Sequence, residues 1–125
     1  MKIQNNFIYS GFRQDIPELL AASDIVMFLS QKAEGFGRPL IEGMAMGRPL
    51  VATDIGPTRE ILGEECGMLV PVGNISITAD AVIRLIHDTK ICKEMGKNGR
   101  QRVEKYFDLK RHVLKIQNCI DKTIN

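Results

Sequence analysis

Residues 24–54 read DIVMFLSQKAEGFGRPLIEGMAMGRPLVATD, and this stretch decides the fold. "DIVMFLS" (24–30) is nearly all apolar, as expected of a central strand covered on both faces. "PLVATD" (49–54) reads as a second buried strand. Between them, Leu40, Ile41, Met44 and Ala45 supply the buried side of a helix over about 38–46, and Gly47 stands where a helix commonly stops. Strand, crossover helix and strand make a parallel α/β unit.

The same alternation continues in both directions. "NFIYSGF" (6–12) predicts a strand ending at a glycine. "DIPELLAAS" (15–23) predicts a helix in which Asp15 and Glu18 resemble a capping box and Pro17 occupies the first turn. "GPTREIL" (56–62) predicts a short helical piece, and "GMLVPVGN" (67–74) a short strand running into a turn. Helices are expected over 76–88 and 91–106. A last one, 109–124, carries Val113, Ile116, Ile120 and Ile124 on one stripe. Neither a repeat nor a linker divides the 125 residues, so one domain is expected.

Composition excludes several classes. Hydrophobic residues make up 44% and charged residues 26%, which suits a globular core rather than disorder. A net charge of +2 is too small to argue for nucleic acid. No apolar run is long enough to span a bilayer, and the N-terminus lacks the signal-peptide pattern, so a cytoplasmic location is expected. Cys66, Cys92 and Cys119 are odd in number and widely spaced. They read as free thiols rather than a disulfide framework or a zinc site. His87 and His112, in charged helical surroundings, read as solvated.

A candidate site follows "DIVMFLS", because ligands of open α/β sheets bind beyond the carboxyl ends of the strands. Gly35 and Gly37 allow a tight turn and close approach of a ligand to the main chain. The helix start behind them favours an anion such as phosphate. Pro39 subtracts one N–H donor and leaves those of Arg38, Leu40 and Ile41 as candidates. Glu34 and Glu42 flank this position, and each carboxylate can hold two sugar hydroxyls. The arrangement suits a nucleotide sugar. The same spacing also suits a bland reading: a solvated Glu34, and an exposed Arg38–Glu42 pair worth about 0.5 kcal/mol.

"EGFGRPLIEGMAMGRPLVATDIGPTREIL", with "YSGFRQDIPELLAASDIVMFLSQKAEGFG" upstream and "GMLVPVGN" downstream, resembles the donor-binding segment of the family 4 retaining glycosyltransferases. The resemblance covers nearly the whole chain. It implies a GT-B fold, here a partial Rossmann-like parallel sheet with flanking helices, and makes 1–125 a partial nucleotide-sugar-binding domain. It implies that Glu34 contacts the donor hexose near the reacting centre. Gly35, Phe36 and Gly37 would meet the hexose and distal phosphate through their backbone, with Arg38 and Leu40 beside them. Glu42 would hold the ribose hydroxyls. Thr53 and Glu60, in the family's next loop, read as structural.

The family uses no metal or other cofactor for the pyrophosphate. Arg38-Pro39 replaces positions often apolar in the family, and Gly43 replaces a common alanine.

The resemblance places the acceptor-binding domain outside these 125 residues, together with the first two strand–helix units of the donor domain and their basic Arg and Lys. The isolated chain is therefore expected not to transfer sugar. The alternative is a non-catalytic nucleotide-sugar-binding or assembly module that needs an acceptor-domain polypeptide. A weaker alternative is a donor domain related to sugar phosphorylases or synthases. Self-association or such a partner is expected to cover the open sheet edge. Any peripheral membrane contact would come from parts beyond this chain.

Overall fold

The structure is a computed structural model that describes residues 3–33 and 35–124. Three strands, β1 (Val26–Phe28), β2 (Leu50–Thr53) and β3 (Gly67–Val70), form a parallel sheet in the order β1-β2-β3. The register pairs Val26 with Leu50 and Leu50 with Gly67. Helices are α1 (Ile16–Ala22), α2 (Arg38–Ala45), α3 (Thr58–Leu62), α4 (Ile75–His87), α5 (Thr89–Tyr106) and α6 (Leu109–Ile124). From residue 38 onward these lie within a residue or two of the sequence-based expectations. Strong periodicity and short-range stop signals decide such elements locally.

All four residues of β2 are buried. Alternate side chains of a strand face opposite ways, so Leu50 and Ala52 enter one core and Val51 the other. The first core joins them to Leu40 and Met44 of α2, Ile61 and Leu62 of α3, and Cys66, with Phe107 packed at its margin. The second joins Val51 and Val70 to Leu85 of α4. Gly47 has φ +65° and donates its N–H to the Met44 carbonyl at 2.9 Å, ending α2 as expected.

Where α5 crosses the end of α2, a Cβ on Gly96 would lie 2.1 Å from the Gly47 carbonyl oxygen. Glycine at 96 is what lets the two backbones touch. Gly43 has a similar reason. A Cβ there would come within 3.3 Å of Leu50 Cδ2 and 3.4 Å of Val26 Cγ1, under the sheet.

Arginines on α5 tie the helices together. Arg100 donates to the Ala45 carbonyl at 2.5 Å. Arg102 donates to the carbonyls of Ile61 and Glu60 at 2.7 and 2.6 Å, satisfying the end of α3. Asp88 caps α5 and Asp108 caps α6 through their carboxylates.

Three expectations are corrected. "NFIYSGF" does not form a strand: Gln4–Asn6 is a 3-10 helix and 7–12 lies outside the sheet, with Phe12 92% exposed. A strand exists only where a neighbour takes its backbone bonds, and none of the described residues offers one there. β1 is an edge, not a central strand, and is shorter than 24–30; Met27 and Leu29 are 47% and 42% exposed. The fully covered strand is β2. Asp15 precedes α1 but makes no side-chain cap, because Arg13 takes its carboxylate, with Nε at 2.7 Å from Oδ1. That bond holds the Asp15 carboxyl below its usual range.

α6 adds to the exposed apolar surface. Every residue of that helix is exposed, including Val113, Ile116, Ile120 and Ile124. Among the described residues no helix is long and apolar enough to cross a membrane.

Candidate functional site

The loop after β1 passes over the carboxyl end of the sheet and enters α2 at Gly37. Glu34 lies outside the described residues. Gly37 is the residue before the helix, with φ +63° and ψ +41°, a left-handed conformation suited to glycine. A Cβ there would also lie 3.0 Å from Ile61 Cδ1 and 3.1 Å from Leu40 Cδ1. The turn is thus pressed directly onto the core, and its backbone is the surface that a ligand at the helix start would meet.

Among the described residues no side chain caps this helix start. Pro39, in the first turn, brings no N–H. Leu40 drops out as an anion donor: its N–H goes to the Gly37 carbonyl at 3.0 Å, and its side chain is fully buried. Of the three donors expected from the sequence, the N–H of Arg38 remains, since Ile41 is the fourth residue of α2, where the helix's own i→i−4 bonds begin. The helix dipole still adds partial positive charge at this end.

Glu42 stands one turn further along, about 6 Å up the helix axis at 1.5 Å per residue. Its Oε1 is 3.3 Å from Arg38 Nη2, with the Arg38 side chain 81% and the Glu42 side chain 39% exposed. Arg38 therefore reaches into solvent while staying near the carboxylate, where it can meet an incoming anion. So exposed a pair adds little stability, as the bland reading held.

Glu42 borders two grooves. The smaller, about 160 Å³, runs between α1 and α2 past Pro17 and Leu20. The larger, about 410 Å³, is bounded by Phe36, Arg38, Ile41 and Glu42 on one side and Phe107, Leu109 and His112 on the other. The rings of Phe36 and Phe107 meet edge to face, with centroids 6.5 Å apart at 76°. Phe107 and His112 were not legible as site residues. They reach the groove because the α5–α6 junction folds back over the start of α2, a contact between segments some 70 residues apart in sequence.

Thr53 is structural, as expected. It is 4% exposed, and its hydroxyl donates to the Ser30 carbonyl at 2.8 Å, tying together the ends of β1 and β2 beneath the loop. Glu60 is exposed on α3 and takes part through its backbone carbonyl. Among the described residues no group of three or more His, Cys, Asp or Glu side chains could hold a metal ion. The thiols are free: Cys66 is buried, Cys92 partly so, and Cys119 exposed. Burial raises the pKa of the first two.

Residues 1–102 match the family described as Glycosyl transferases group 1. N-acetyl-alpha-D-glucosaminyl L-malate synthase of Bacillus anthracis is 34% identical over 108 residues, covering 86% of this chain and 28% of the relative. The crystal structure of Anabaena HepE in complex with UDP superposes with a TM-score of 0.85 at 32% identity, covering 98% of this chain and 33% of HepE. The HepE complex with UDP-glucose gives 0.78 at 33% identity, covering 91% of this chain and 30% of HepE. The chain thus spans about a third or less of the length of these proteins. The sheet, the loop entering α2 and the match over most of the chain agree: the chain belongs to the glycosyl transferases group 1 family and has the Rossmann-like architecture of its GT-B members.

Proposed function

We propose that this chain is the donor-binding part of a retaining hexosyltransferase, which moves a hexose from a nucleoside-diphosphate sugar to an acceptor bound by another domain. The observation that carries this reading is the α2 entrance. A glycine turn in left-handed conformation meets a helix start at the carboxyl end of a parallel sheet, with Glu42 one turn above. The HepE complexes with UDP and UDP-glucose support it from a relative of the same architecture.

In this reading the helix start and Arg38 face the pyrophosphate. The backbone of Gly35, Phe36 and Gly37 meets the distal phosphate and hexose. Glu42 accepts hydrogen bonds from the ribose hydroxyls, and Glu34 touches the hexose near the reacting carbon. The electrostatics need no metal ion, since oriented N–H groups and a guanidinium supply the positive charge.

Transfer needs donor and acceptor held in register, so these 125 residues by themselves do not catalyse. They bind donor weakly, because the basic Arg and Lys that the resemblance assigns to earlier strand–helix units are not among them. The second reading is a binding or assembly module that works only with an acceptor-domain polypeptide. Titration of the purified chain with UDP, UDP-glucose and other nucleoside diphosphates tests the donor site. Saturable binding of a nucleoside diphosphate, with shifts confined to 35–42, is expected. Binding of none of them overturns the reading.

A further inference from the structure

Phe36 belongs to the loop that the proposed function places against the donor, yet it is 62% exposed and lies outside any helix or strand. Its aromatic partner is Phe107, between α5 and α6. Phe107 is itself firmly placed. Its N–H donates to the Val103 carbonyl at 2.9 Å, its side chain packs against the core cluster of Leu40 and Met44, and the next residue, Asp108, caps α6. One end of the loop is pressed onto Ile61 and Leu40 at Gly37. The Phe36 ring is a further point at which the loop meets the folded body.

We infer that Phe107 is a positioning residue: through its edge-to-face contact with Phe36 it holds 35–37 in the orientation that presents their backbone at the start of α2. This rests on the proposed donor site for its functional consequence, but the ordering of the loop does not. The contact joins the α5–α6 junction to the loop, so a shift of α6 can pass to the loop through this ring pair. An aromatic edge can be replaced by another aromatic edge but not by a branched aliphatic chain of similar bulk. This separates holding the loop from merely filling the core.

The test is nitrogen relaxation on the 125-residue chain, comparing wild type with Phe107→Leu and Phe107→Tyr. In wild type and the Tyr variant, order parameters at residues 35–37 should stay near about 0.85, as should those of β2 in all three proteins. The Leu variant should fall below about 0.6 at 35–37 alone. UDP, titrated into the same samples, should bind about twofold to tenfold more weakly to the Leu variant, with affinity kept in the Tyr variant. A loop already mobile in wild type, or equally rigid in the Leu variant, overturns the inference. So does a loosened loop with unchanged UDP affinity. Wild-type chain that takes up no UDP would remove the donor site, while the order parameters would still decide whether Phe107 holds the loop.

Discussion

Replacing Glu42 by alanine separates the two roles open to that carboxylate. Its contact within the fold is the pair with Arg38, at 3.3 Å with side chains 39% and 81% exposed. Such a pair contributes at most about 0.5 kcal/mol, and alanine is the better helix former, so the loss in stability is small. For a domain of this size that is a fall in Tm of no more than about 3 °C. If the carboxylate instead accepts charge-assisted hydrogen bonds from ribose hydroxyls, its removal costs about 1.5–3 kcal/mol of binding, or about 10- to 150-fold in Kd. Glu42→Gln keeps the shape and one acceptor and should fall between. Thermal unfolding and UDP titration on the same preparations give both numbers. Unchanged affinity in Glu42→Ala would refute the ribose role. A Tm lowered by more than about 8 °C would show that the residue supports the fold in a way its exposure does not suggest.

Gly96→Ala should destabilise by about 1–3 kcal/mol, since its Cβ would lie 2.1 Å from the Gly47 carbonyl oxygen. Gly99→Ala should cost less, because Met44 side-chain atoms at 3.1 and 3.3 Å are its nearest neighbours there; chemical denaturation that ranks the two the other way would contradict this packing. The purified chain should neither transfer hexose from UDP-glucose nor hydrolyse it above a Glu34→Ala control, and product formation beyond that control would show that no second domain is needed. Self-association is expected from the open β1 edge and the adjoining apolar groove of about 650 Å³, which takes in Met27, Leu29, Val82 and Ile83. Light scattering across a concentration series should show rising mass, and a folded, strictly monomeric chain at high concentration would rule it out.

The sequence by itself determined the elements whose signals act within a few residues. The apolar face of α2, its end at Gly47, the short β3 and the periodic α4 and α5 depend on propensity, spacing and turn chemistry, so they were legible before any packing was known. The glycine turn into α2 was legible for the same reason. The ordered run of pieces carried the family, which no single motif could have done.

Tertiary structure decided the rest. Whether 6–12 and 24–30 are strands depends on what pairs with them, and the apolar pattern says nothing about the neighbour. So the first segment lies outside the sheet, the second is trimmed to a three-residue edge, and β2 takes the centre. The Leu40 N–H is turned away from the anion position by a bond to the Gly37 carbonyl, which spacing could not reveal. Phe107 and His112 join the candidate site because the α5–α6 junction folds across α2. Contacts between residues so far apart arise from how helices pack on a sheet, and no local pattern encodes them.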